Sequence, residues 1–110
     1  MKIELTTEKE DITPEHAEKI HGYAPGFAQA VRKVKEESEG GWWWCTVKLA
    51  VTFKKNGENH QGTAYLGECS YKNAEDFITS SGYFNDMVKE AIIDAKPMYG
   101  RNRQTAFDSN

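Results

Sequence analysis

The sequence predicts an α+β fold: a small antiparallel sheet around a central β-hairpin, flanked by a kinked N-terminal helix and a C-terminal helix. Three observations predict it. Residues 42–54 and 60–71 read as strands on either side of Asn56-Gly57, the strongest short hairpin signal, because both central residues of that turn take positive φ. Upstream, Ala17, Ile20, Ala24, Phe27, Val31 and Val34 recur at alternating spacings of three and four, one buried stripe of a helix. Downstream, Phe84, Met87, Val88, Ala91 and Ala95 form a second such stripe. In a chain of 110 residues, 28% charged and 38% hydrophobic, these elements fit one domain with one core.

Residues 2–7 (KIELTT) put Ile3 and Leu5 on one face and Lys2, Glu4 and Thr6 on the other, which suits a short strand at a sheet edge. Thr13-Pro14-Glu15 is an N-cap, a first-turn proline and an acid that complements the helix dipole, so a helix should begin at Pro14. Gly22 and Pro25-Gly26 interrupt it, giving two helical pieces near 14–21 and 25–38 or one kinked helix. Gly40-Gly41 ends that region.

In the hairpin, Cys45, Val47, Leu49, Val51 and Phe53 share one strand face. With Asn56 and Gly57 as the loop, opposed residues are Phe53 with His60, Val51 with Gly62, Leu49 with Ala64 and Val47 with Leu66. The other face pairs Lys48 with Tyr65, Trp44 with Cys69 and Trp42 with Tyr71. A bulge at Gly62 or Gly67 would shift part of this register by one and exchange the faces. Asn73 and Asp76 resemble a capping box, so a helix should start near 74, break or kink at Ser80-Ser81-Gly82, and stop at Lys96 before Pro97. Residues 1–96 are thus the expected domain, and 97–110, without an apolar period, an expected flexible tail.

Composition narrows the function. The net charge of −3 argues against a general polyanion binder. There is neither a long apolar stretch nor a signal-peptide pattern, so a cytoplasmic protein without membrane contact is expected. His16, His21, His60, Cys45 and Cys69 belong to no catalytic or metal-binding motif, and His16 and His21, five apart, do not share a helix face. On the hairpin register Cys45 and Cys69 fall on opposite faces as reduced, packed thiols. No catalytic residue, metal or cofactor is expected. A hydrolase or transferase built on His60, Glu68 and Cys69 would lack a third group to position base and nucleophile.

Two surfaces carry the binding expectation. Trp42, Trp44, Tyr65 and Tyr71 fall on the face opposite the aliphatic one, where water-facing Thr, Lys and Glu would be ordinary. Either a helix, the acidic N-terminal segment or the tail covers them, or they anchor a protein partner or a second copy in a homodimer. With Lys48 they would also suit stacking of single-stranded bases, although so few cations cluster there that nucleic acid is the weaker alternative. On the last helix Asp86, Glu90 and Asp94, spaced by four, form a carboxylate ridge suited to a solvated face or a basic partner. The helix–sheet–helix order is similar to that of double-stranded-RNA-binding domains. However, the corresponding helix starts Asn73-Ala74-Glu75-Asp76 and would turn carboxylates toward phosphates.

Within residues 41–95, the run YLGECSY, the acidic helix start with Phe77 and the run GYFNDM resemble small orphan proteins of phages and mobile elements. The resemblance implies a class rather than a site. Such proteins often act stoichiometrically, as anti-CRISPR and anti-restriction inhibitors of bacterial host or defence proteins do. The expectation is therefore a non-enzymatic protein-binding protein in a bacterial cytoplasm.

Overall fold

The computed structural model describes residues 1–98. Four strands form one antiparallel sheet in the order β1-β2-β3-β4, with Lys2–Lys9 as β1, Cys45–Lys55 as β2, Glu58–Cys69 as β3 and Lys96–Pro97 as β4. The helices are Pro14–Ile20 (α1), Phe27–Lys35 (α2), Ala74–Ser80 (α3) and Phe84–Asp94 (α4). This is the expected α+β class with its central hairpin, and β1 is the expected edge strand, extended to Lys9.

The hairpin turn follows from its residues. Asn56 and Gly57 both take positive φ, 53° and 82°, and Lys55 opposes Glu58. From there the expected pairs hold as far as Val47 with Leu66. Beyond them the register shifts, and Cys45 opposes Cys69. The irregular residue is Glu68, whose φ of 54° is a left-handed conformation uncommon for a side-chain-bearing residue. The bulge therefore sits beside Gly67, and it places both cysteines on the buried face instead of on opposite faces.

That face is the main core. Val47, Leu49 and Val51 are fully buried, and Phe77 from α3 with Met87 and Ala91 from α4 close over them; Leu66 is half-buried against the same cluster. Gly62 has a separate role, since a Cβ there would lie 1.9 Å from the Ala91 carbonyl oxygen and 2.7 Å from Ala95 N. The C-terminal half of α4 thus rests directly on the β3 backbone, an approach that only glycine permits.

Neither helical region is a single kinked rod. Gly22 and Gly26, with φ of 67° and 94°, reverse the chain so that α2 folds back on α1. Glu18 accepts from Ala28 N (2.8 Å), and Glu15 forms a two-point pair with Arg32. The Thr13 hydroxyl caps α1 by accepting from His16 N (3.1 Å), as its position predicts. Gly82, with φ of 80°, separates α3 from α4, which ends at Asp94 with Ala95 extended. Lys96 and Pro97 then pair with Gln61 and His60, and Met98 N donates to Asn59 O (2.9 Å). The rest of the expected tail, residues 99–110, lies outside the described residues. Among the described residues no helix is long and apolar enough to cross a membrane.

Candidate functional site

The four rings expected on one sheet face are dispersed. Gly40–Trp43 forms a short 3-10 turn, so β2 starts at Cys45 and the tryptophans precede the strand instead of alternating along it. Trp44 is only 6% exposed. Its indole Nε1 donates to Ile12 O (2.7 Å), its ring meets Phe27 edge-on at 5.9 Å, and it packs with Ala17 and Val31 in a second, smaller core beneath α1 and α2. Trp42 and Tyr71 are half-buried against Phe77 in the main core, at ring distances of 6.0 and 5.2 Å, and Tyr71 N donates to Trp42 O (2.8 Å). Only Tyr65 remains open, 53% exposed, with Lys48 Nζ 5.9 Å from its ring. The aromatic platform that single-stranded bases would require is therefore not assembled, and Trp44 is enclosed instead of lying on an open sheet face. The first helical pair covers it, the alternative that the sequence left open.

The acidic ridge keeps its expected place. Asp86, Glu90 and Asp94 are all exposed on α4. Among the described residues none of them pairs with Lys89 or Lys96 within 4 Å. Asp94 has structural work, because its Oδ2 accepts from Thr63 N (3.0 Å) and closes the outer edge of β3 where β4 stops. Asp86 and Glu90 project freely.

Sequence reasoning missed the apolar residues that share this face. Ile93 is 84% exposed and Tyr83 51%, and positions 83, 86, 90 and 93 are one stripe of a helix. The available signal was that Ile93 falls off the repeat of buried Met87 and Ala91 and half-buried Ala95. Between α4 and the edge of β3 lies an open groove of about 580 Å³, lined by Thr63, Glu90, Ile93, Asp94, Ala95 and Lys96. Carboxylates beside an uncovered aliphatic side chain can bind a complementary surface.

Two other clusters bear on the enzyme alternative. At the bulge, Glu10 Oε2 accepts from Glu68 N (2.6 Å) and Thr46 Oγ1 (2.7 Å). Glu68 in turn accepts from the Tyr23 hydroxyl and meets His21 Nε2 at 3.0 Å. The bond to Glu68 raises the Tyr23 pKa above its ordinary value, so the phenol stays protonated. These contacts tie the α1–α2 turn to the end of the sheet. His60 stands apart, stacked on Phe53 at 5.7 Å near the hairpin turn, so His60, Glu68 and Cys69 are not brought together. Burial pushes the Cys69 thiol up to about 11 and the Cys45 thiol to about 12, which keeps both protonated and unreactive near neutral pH.

A cavity of about 500 Å³ lies where β1 leads into α1, between Glu8, Asp11, Arg32 and Trp43. Its one guanidinium is held by Glu15, and Lys35 Nζ lies 4.7 Å from the centre of the Trp43 ring. Among the described residues no group of three or more His, Cys, Asp or Glu side chains is placed to hold a metal ion. Comparison with known proteins finds no matching family model, no matching curated protein and no matching solved structure.

Proposed function

We propose that this chain is a non-enzymatic protein-binding protein that engages its partner through the outer face of α4, mole for mole. One observation carries the reading: Ile93, 84% exposed, stands beside Glu90 at the mouth of the groove, with Tyr83 and Asp86 continuing the same stripe. An aliphatic side chain this open is a candidate anchor, and the carboxylates around it select the partner's chemistry. That partner is a protein presenting basic side chains around an apolar one. The resemblance to small phage and mobile-element proteins supports a bacterial host or defence protein as the target and the bacterial cytoplasm as the setting. It also supports stoichiometric inhibition of the anti-CRISPR or anti-restriction kind.

The test begins with capture of partners from a bacterial lysate and continues with the purified partner. Ile93→Ala should raise the dissociation constant at least about tenfold, about 1.4 kcal/mol, with the fold unchanged. Reversal of Asp86 and Glu90 to lysine should slow association and flatten its salt dependence, leaving dissociation nearly unaltered. Binding indifferent to all three substitutions overturns the surface assignment. Inhibition at trace amounts, with turnover, overturns the non-enzymatic reading.

A further inference from the structure

The outer edge of β1 is a second surface, independent of α4. Among the described residues no strand pairs with it, since β1 ends the sheet. Which of its groups are free follows from the far side of the sheet. Thr63 N and Asn59 O point away from β2, toward Asp94 and Met98. With the observed registers, even-numbered residues of β1 and β2 then bond each other, Glu4 with Ala50 and Thr6 with Lys48 among them. The outward N–H and C=O groups belong to Ile3, Leu5, Thr7 and Lys9.

A strand of this length with an open edge pairs with another strand unless its side chains prevent it. For a second copy related by a two-fold axis, the side chains discriminate among the registers that let outward groups meet. Centred on Leu5, the pairing sets Lys2 opposite Glu8 of the second copy, twice by symmetry, with Ile3 opposite Thr7 and Glu4 opposite Thr6. Sliding it to centre on Glu4 opposes two glutamates, and centring it on Thr6 opposes Glu4 to Glu8, again twice. Centring it on Ile3 sets Lys2 opposite Glu4 but leaves residues 6–9 without a partner, and centring it on Thr7 leaves residues 2–4 without one and forms no opposite-charge pair. The Leu5 register alone combines overlap across residues 2–8 of the strand with paired opposite charges. Opposite charges directly across a strand pair stabilise it and like charges destabilise it. The Leu5 register also brings together Ile3, 38% exposed, and half-buried Leu5 of both copies on the face that carries the core.

We propose that two copies associate edge to edge through β1, antiparallel and centred on Leu5, joining their sheets into one continuous sheet with Lys2–Glu8 pairs flanking the axis. The charges on β1 act as register keys rather than as a general block to pairing.

Charge exchange tests this, because Lys2, Glu4 and Glu8 are exposed and their substitution leaves the core untouched. Sedimentation or light scattering of the full chain over tens to hundreds of micromolar should show a monomer–dimer equilibrium. Glu8→Lys alone and Lys2→Glu alone should each weaken it at least about tenfold, and the double exchange should restore it. A chain monomeric throughout that range overturns the proposal. So does a dimer that neither single substitution weakens, or one that weakens without rescue by the double exchange, since either result places the contact elsewhere or in another register.

Discussion

The two helix pairs attach to the sheet in different ways. The pair α3–α4 is held by apolar burial and by direct backbone approach at Gly62, with Phe77, Met87 and Ala91 closed over β2 and β3. The pair α1–α2 meets the sheet region through two neighbouring tryptophans and a polar latch, Trp44 inside with half-buried Trp43 against the same cluster, and Glu68 with Tyr23 and His21 at the rim. Their outer surfaces differ in the opposite sense. The first pair encloses Trp44, whereas α4 leaves Ile93 uncovered among carboxylates. Trp44 is therefore structural in this molecule, and among the helices described the acidic one carries the most exposed aliphatic side chain, Ile93, ahead of Ile20 at 54% on α1.

Beneath α4 the expected effects are large. Leu49→Ala should lower stability by about 2–5 kcal/mol, because the side chain is fully buried and the surrounding sheet and helices collapse only partly into the gap. Gly62→Ala should cost about 3 kcal/mol and displace α4 from β3, read as lost hydrogen-exchange protection in α4 with α1 and α2 unaffected. Equal loss of protection in both pairs would show one cooperative unit and erase the contrast.

The polar latch should give smaller, local effects. Glu68→Gly keeps the left-handed backbone without steric conflict, whereas Glu68→Ala loses the same contacts and retains the conflict, so alanine should be the worse by about 1 kcal/mol. Both should loosen the α1–α2 turn in exchange measurements. If alanine and glycine are equivalent, the bulge is not held in the conformation described.

The thiols give the main core a pH signature, which comparison with Cys45→Ala separates from the raised Tyr23 phenol of the latch. Both are raised in the folded state above their ordinary value of 9.0, so the folded protein holds those protons more tightly than the unfolded chain. Their contribution is fully present below pH 9.0 and declines as pH rises from there through about 11 and 12. Denaturation midpoints measured across that window should fall, and less steeply in Cys45→Ala. Neutral-pH stability of that variant should change only slightly, and thiol labelling of the native chain should be slow.

Much of the fold was legible in the sequence because the signals were local. Asn56-Gly57 determined the hairpin and its register through Val47, and Thr13-Pro14 determined the start of α1. The breaks at Gly22, Gly26 and Gly82 were legible as interruptions, though not as chain reversals, since direction depends on what the next helix packs against. The aromatic face failed for two reasons that act together. The 3-10 turn at Gly40–Trp43 removed Trp42 and Trp44 from strand alternation, and the bulge at Glu68 moved the register by one residue. The bulge is stabilised by Glu10, nearly sixty positions away, a contact no local pattern displays. The ridge on α4 was legible because helical spacing alone determines it. Ile93 was overlooked because it belongs to no periodic core stripe.

The central claim, that the tryptophan is inside and the isoleucine outside, is tested most directly by one pair of denaturant titrations. Trp44→Ala should lower the unfolding free energy by about 3–5 kcal/mol, with Ile93→Ala within about 0.5 kcal/mol of the parent chain. A neutral Trp44→Ala, or an Ile93→Ala that unfolds the protein, would contradict the account.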